Sequence, residues 1–151
     1  MHQAKCFSGI TKLLNGWFTS HFDTDTSGNT MKKIKSQLET EISEAIIKFE
    51  KEYMGRGPEE TKTIIFDDNI FVRLRGVLTP AEKKLAVSDD YHGRGLIKQI
   101  RQELIEKARP LLDALITDIT GRKVKSLHTD ISTSTGERII VFTLDKKISF
   151  D

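Results

Sequence analysis

Two amphipathic helical patterns, each followed by a strand–turn–strand pattern, dominate the sequence. The first helical pattern runs from Lys32 to Tyr53 and the second from Leu96 to Thr120, and glycine follows each of them. Their apolar stripes are Leu38, Ile42, Ala45, Ile46, Phe49 and Tyr53 in the first, and Leu96, Ile100, Leu104, Ala108, Leu111, Leu112, Leu115 and Ile119 in the second. Because each stripe must be covered, the chain is restricted to layered folds.

The strand patterns predict two hairpins. The first joins residues 63–66 to residues 70–75, and the second joins Val124–Ser132 to Arg138–Leu144. Period-2 alternation places Ile70, Val72 and Leu74 on one face of their strand and Phe71, Arg73 and Arg75 on the other. The simplest arrangement is an α+β fold of order helix–hairpin–helix–hairpin. It has a four-stranded antiparallel sheet with both main helices on one face.

The last strand is apolar on both faces. Ile139, Val141 and Thr143 alternate with Ile140, Phe142 and Leu144. A strand with this pattern is usually covered on both sides, so we expect helices or a second subunit against its second face. The sheet face that carries Arg73 and Arg75 is therefore a candidate for dimerisation or ligand contact.

Three local signals lie in and near the second helical pattern. Residues Thr79–Pro80–Ala81–Glu82 form a capping-box motif, which predicts a short helix to about Val87. Gly93 and Gly95 indicate a flexible junction before the long helix, and we interpret them as a hinge. Pro110 predicts a kink rather than a break, since the apolar stripe stays in phase on both sides of it.

The N-terminal part differs from the rest. A short apolar pattern between Ile10 and Phe18 is followed by a polar run over residues 23–30, which has the composition of a linker. We therefore expect residues 1–30 to form a flexible arm and residues 31–151 to form a single domain.

Composition excludes several classes of protein. The formal net charge is only +2, from 24 basic and 22 acidic side chains, which argues against a nucleic-acid binder. The single cysteine, Cys6, fits a reducing compartment. Without a secretory signal pattern or an apolar run of about 20 residues, we expect a cytoplasmic protein that does not insert into the membrane, although a partner could hold it there.

A small-anion or partner-binding site is the first chemical hypothesis. Arg73 and Arg75 share a strand face, and Arg56 lies just beyond the first helix. Guanidinium groups match the geometry of carboxylate, bicarbonate or phosphate, although arginines on exposed strands are also common without any ligand.

The second chemical hypothesis concerns His128 and Asp130, which share a face of the third strand. A histidine beside a carboxylate can act as a general base or a metal ligand, but a solvated polar row explains the pattern equally well. No metal-ligand spacing, nucleophile motif or phosphate-binding loop is recognisable, so no cofactor or catalytic residue is assigned.

Three blocks of sequence resemble one known family. They are residues 41–58, residues 76–83, and residues 127–132 with Thr135–Gly136–Glu137–Arg138. These blocks resemble the MpsC family. The resemblance implies a small accessory protein of a bacterial sodium-linked system that generates membrane potential and is associated with inorganic-carbon uptake. It also implies a membrane subunit similar to the proton-pumping parts of respiratory complex I, and it brings no catalytic residues.

The leading hypothesis is thus a non-catalytic accessory or regulatory subunit that forms a homodimer and contacts a membrane-protein partner, with a small anion as signal. One alternative is an enzyme acting on an anionic substrate with His128 as base, which requires His128 to meet Arg73 and Arg75. A third is nucleic-acid binding, for which Phe71 is the one stacking aromatic available on that face.

Overall fold

A computed structural model of the chain describes residues 34–87 and 91–150. Within them lie three helices, α1 (Lys35–Tyr53), α2 (Pro80–Val87) and α3 (Tyr91–Thr120). The strands are β1 (Glu60–Phe66), β2 (Asn69–Arg75), β3 (Val124–Ser132) and β4 (Glu137–Leu144). The arm and linker that we predicted for residues 1–30 lie outside the described residues.

The four strands form one antiparallel sheet with the order β1-β2-β4-β3. The α+β prediction of a helix–hairpin–helix–hairpin chain is confirmed. The last strand lies in the interior of the sheet, between β2 and β3, which accounts for its high apolar content.

The core lies between the helices and one face of the sheet. Helix α1 packs on β1, α3 packs on β3, and the two helices contact each other. The largest fully buried apolar side chains are Ile42 and Ile46 of α1, Ile97, Ile105, Leu112 and Ile116 of α3, Ile70 and Leu74 of β2, and Ile140, Phe142 and Leu144 of β4. The predicted inward face of β2 is confirmed, since Ile70, Val72 and Leu74 are all inaccessible to solvent.

Helix ends follow the local chemistry. Gly121 adopts φ 66° directly after α3, a conformation that favours glycine over residues with a Cβ atom. The capping box is confirmed: Thr79 N donates to Glu82 Oε2 at 2.7 Å, and Glu82 N donates to Thr79 Oγ1 at 3.2 Å.

The hinge that we predicted at Gly93 and Gly95 is wrong. Both residues lie inside α3, which begins at Tyr91, and Gly93 is buried. Glycine lowers helix propensity by only about 1 kcal/mol, and packing of the buried face of α3 outweighs that cost. The apolar stripe that we predicted is wrong at the start of this helix, since Leu96 and Ile100 are exposed and Ile97 and Ile105 are buried instead. The helix also continues through Pro110 without a break, as expected; the kink itself stays a prediction.

Candidate functional site

The sheet face opposite the helices is built from alternate residues of all four strands, and we call it the open face. Strand pairing arranges these residues in rows across the sheet. One row contains Ile64, Phe71, Val141 and His128, and the next contains Lys62, Arg73, Ile139 and Asp130. The face therefore has an apolar end and a charged end.

At the charged end the arginines are already paired with glutamates. Arg73 Nε donates to Glu137 Oε2 at 2.6 Å, and Arg75 Nη1 donates to Glu60 Oε2 at 2.9 Å. Arg75 Nε also lies 3.9 Å from Glu137 Oε2. An anion that approached these guanidinium groups would have to compete with carboxylates already in place.

At the apolar end two large side chains are exposed. Phe66 is 72% exposed and Ile64 is 40% exposed, while Phe71 and Val141 beside them are half-buried. In β4, Ile139, Val141 and Thr143 are likewise half-buried, whereas their neighbours on the helix side are fully buried. The described part of the chain thus leaves the second face of β4 without a covering layer of helices.

The site residues predicted from the sequence are only partly brought together. Arg73, Arg75 and His128 share the open face, but β4 separates His128 from β2, a spacing of about 10 Å between backbones. Among the described residues, His128 forms no hydrogen bond with either arginine. Arg56 lies off the sheet, where its Nη2 donates to Glu59 Oε1 at 3.1 Å.

Asp130 turns away from the predicted site. Its place in the register is on the open face, but its carboxylate accepts hydrogen bonds from Lys98 Nζ of α3 at 3.1 and 3.2 Å. The backbone N–H of Ile131 and the Lys98 ammonium together hold the pKa of Asp130 below its ordinary value. The His128–Asp130 pair therefore lacks the geometry of a general base with its orienting carboxylate.

A groove of about 670 Å³ runs beside the charged end of the open face. It lies between α2, the end of β2 and the β3–β4 turn, and its walls include Arg73, Arg75, Glu137, Lys83 and Val87. Val87 is 82% exposed. Mixed charges and an exposed apolar side chain are typical of a surface that contacts another protein rather than of a closed pocket for a small substrate.

The helix-covered face contains a buried charge network that the sequence reading missed. It consists of Glu50, Glu82, Arg101 and Arg138. Arg138 Nη1 donates to Glu50 Oε1 at 3.0 Å, and Arg101 donates to Glu82 through Nε and Nη2, both at 2.8 Å. Arg101 Nη2 also donates to the Val77 carbonyl at 2.8 Å, so the network ties α1, α2, α3 and β4 together.

Burial dominates the electrostatics at the centre of this network. It raises the pKa of Glu50, although the charges of Arg138 and Arg101 act in the opposite direction. Burial likewise lowers the pKa of Arg138, against the attraction of Glu50. Both directions disfavour the charged forms, so the loss of hydration exceeds the attraction between the two ions.

Glu82 behaves differently because it is nearer to the surface. Burial opposes its ionisation, but hydrogen bonds from Arg101 and Thr79 together with the charge of Arg101 outweigh that effect. The pKa of Glu82 is therefore lowered.

One sequence signal could have revealed the network. Arg138 falls on the same alternation as Ile140, Phe142 and Leu144, all of which face the helices. A buried arginine requires a buried carboxylate, and Glu50 directly follows the core residue Phe49.

The described part of the chain contains neither a candidate metal site nor a helix that could span a membrane. Residues 34–87 and 91–150 contain no group of three or more His, Cys, Asp or Glu side chains placed to hold a metal ion. In the same ranges, none of the helices is sufficiently long and apolar to cross a membrane.

Comparison with known proteins places the chain in a family. A protein of Bacillus subtilis (strain 168), YbcI, is 50% identical over 114 residues, which cover 76% of this chain and 90% of that protein. A second protein of the same strain, YrhF, is 29% identical over 112 residues, covering 72% of this chain and 88% of that protein. Both are described as uncharacterised. No solved structure matches significantly. Residues 34–146 match the family described as "Na+-translocating membrane potential-generating system (MpsC)", and the chain therefore belongs to the MpsC family.

Proposed function

We propose that this protein is a non-catalytic accessory or regulatory subunit of a Na⁺-translocating, membrane-potential-generating system and acts by protein contact. Membership of the MpsC family supports the link to such a system. The observation that carries the contact role is the open face, a sheet surface with Phe66 and Ile64 exposed at its apolar end. In this proposal the protein works on the cytoplasmic side, and the inorganic-carbon link makes bicarbonate a candidate signal.

The occupant of the open face, in this proposal, is a second copy of the chain. The face carries three basic side chains, Lys62, Arg73 and Arg75, and two acidic ones, Glu60 and Glu137, because the carboxylate of Asp130 is turned to Lys98. With a net formal charge of only about +1, it can oppose a copy of itself with little overall repulsion. Pairing would also cover the second face of β4 and complete its burial.

Molar mass in solution tests the pairing. Light scattering coupled to size exclusion should give the mass of a dimer for the full chain and of a monomer for Phe66→Asp, since a carboxylate in an apolar interface loses its hydration. Ile100→Asp is the matched control, because Ile100 is also exposed (54%) but lies on α3 away from the sheet. A monomeric wild type, or equal effects of the two variants, would overturn the pairing.

The subunit role needs a separate measurement. The full chain, co-expressed with the sodium-translocating membrane subunit of the same system, should co-elute with it in detergent, and its loss should alter sodium-dependent membrane potential in reconstituted vesicles. Adding bicarbonate tests the signal through a change in mass or in co-elution. Absence of both co-elution and any effect on potential would overturn the accessory role.

A further inference from the structure

A small cavity lies between α3 and β3, on the side of the sheet opposite the open face. Its volume is about 60 Å³, and its walls include Lys98, Arg101 and Gln102 of α3, Thr129 and Asp130 of β3, and Arg138 of β4. It adjoins the buried charge network and, apart from Asp130 at its edge, is lined by none of the residues of the open face.

Three polar groups of the residues that line this cavity lack hydrogen-bond partners. Arg138 Nε, Arg101 Nη1 and Thr129 Oγ1 are all buried and form no hydrogen bond within residues 34–87 and 91–150. Arg101 Nη1 lies 3.9 Å from Glu50 Oε2, a carboxylate oxygen that is likewise buried and without a hydrogen bond. The two arginines are only 1% and 2% exposed. Buried donors of this kind are rarely left unsatisfied, because each forfeits its hydration without compensation.

The other nitrogens of the same guanidinium groups already donate to protein acceptors. Arg138 uses Nη1 for Glu50 and Nη2 for the Arg101 carbonyl at 3.3 Å, and Arg101 uses Nε and Nη2 for Glu82 and Val77. The network therefore fixes both guanidinium groups and leaves one nitrogen of each, Arg138 Nε and Arg101 Nη1, without a hydrogen bond to an acceptor. Fixed guanidinium groups are favourable anion ligands because binding requires little ordering of their side chains.

The size of the cavity limits what can occupy it. Its volume of about 60 Å³ exceeds the roughly 10–15 Å³ that one ordered water needs. That space suits a halide or an anion of three or four heavy atoms better than a nucleotide or another phosphate ester. At the solvent side stand Lys98 and Asp130, an ion pair with side chains 48% and 77% exposed, which offers a route of entry.

We propose that this cavity is a binding site for one small monovalent anion, a halide or a planar oxyanion such as nitrate, formate or bicarbonate. Arg138 Nε, Arg101 Nη1 and the Thr129 hydroxyl donate to it. The site is separate from the arginines of the open face, and its existence does not depend on the proposed function. An anion bound there would bridge α3 to β3 and β4, and would thereby stabilise the contact of the long helix with the sheet.

Thermal unfolding of the full chain tests the site in solution, with sodium nitrate or sodium formate titrated at constant ionic strength. We expect a saturable rise in Tm, on the order of 5 °C at ten times Kd. Sulfate, which is larger and doubly charged, should bind less well and should give mainly the gradual, non-saturating rise that excluded salts cause.

Two matched variants test whether the anion-dependent rise in Tm arises from this cavity. Thr129→Val removes one donor and should weaken anion binding about tenfold, while leaving the anion-free Tm unchanged or raised because an unpartnered hydroxyl disappears. Thr61→Val is the control, since Thr61 Oγ1 is also buried and unpartnered but lies on β1, away from the cavity. It should leave the anion response unchanged.

Crystals soaked in sodium bromide separate an anion from water. An anomalous bromide peak within hydrogen-bonding distance of Arg138 Nε and Thr129 Oγ1 would support the proposal. Water alone in the cavity, combined with a non-saturating thermal response, would overturn it. Equal anion responses of the wild type and Thr129→Val would also overturn it.

Discussion

The two faces of the sheet carry the same kind of ion pair in opposite surroundings. Glu137 and Arg138 are neighbours in β4, yet Glu137 binds Arg73 on the open face while Arg138 binds Glu50 beneath the helices. The open-face pair is the shorter, 2.6 Å against 3.0 Å, but Arg73 is 39% exposed and both members of the buried pair are nearly inaccessible. Distance alone is therefore a poor guide to what each pair contributes.

Burial decides the difference. On the open face, water solvates either ion when its partner is removed, so exposed pairs contribute about 0–1 kcal/mol. In the network, removal of one member leaves the other charge without water and without a counter-ion, which costs about 3–5 kcal/mol. Single substitutions in the network should therefore destabilise the fold strongly. Burial also raises the pKa of Glu50, which shows that its charge is already costly with both arginines in place.

The largest expected effect is the loss of one member of the buried pair. Arg138→Met should lower the free energy of unfolding by about 3–5 kcal/mol, because Glu50 is then buried with only the distant Arg101, 3.9 Å away. Urea unfolding followed by circular dichroism measures this. The double variant Glu50→Leu/Arg138→Met should recover most of the loss; a single-variant cost below about 1 kcal/mol would show that water reaches the pair.

A smaller effect is expected at Glu82, at the edge of the network. Glu82→Gln removes an ion-paired carboxylate from Arg101 and weakens the capping box, so we expect a loss of about 2 kcal/mol at pH 7.

The effect at Glu82 should depend on pH in a defined direction. Because its folded-state pKa is lowered, its ionised form stabilises the fold fully above the ordinary value of 4.5. That contribution is lost as the pH falls through the folded-state pKa. The difference in the free energy of unfolding between the wild type and Glu82→Gln should therefore shrink as the pH falls below 4.5. Urea unfolding at several pH values tests this prediction. Glu44→Gln is the control, because Glu44 is exposed. A difference in the free energy of unfolding that stays constant with pH would contradict the prediction.

The smallest expected effect is on the open face. Arg73→Met should change the free energy of unfolding of the monomer by less than about 1 kcal/mol, despite its 2.6 Å hydrogen bond to Glu137. Added salt should reduce even that difference, since exposed charges are screened. Measurement in the monomeric Phe66→Asp background keeps dimerisation out of the comparison. A loss comparable to that of Arg138→Met would mean that the two faces do not differ in the way proposed.

Much of the fold could be predicted from local sequence patterns. The stripe of α1, the hairpins and the Thr79–Glu82 capping box are interactions between residues a few positions apart, so propensity and periodicity reveal them. In α3 the same periodicity misplaced the first two turns of the stripe, where Ile97 rather than Leu96 is buried. The same alternation placed Arg73 and Arg75 correctly on the face opposite Val72 and Leu74. It did not reveal that Glu60 and Glu137 neutralise those arginines, because both partners come from other strands.

What the sequence determined by itself is the set of elements and the face that each strand buries, since these follow from backbone geometry and hydrophobic periodicity. The tertiary structure alone decided the order β1-β2-β4-β3, the extension of α3 over Gly93 and Gly95, and the meeting of Glu50 with Arg138 across 88 positions of chain. The physical reason is that a buried charge is tolerated only where distant segments supply its counter-ion, and no local pattern encodes that pairing.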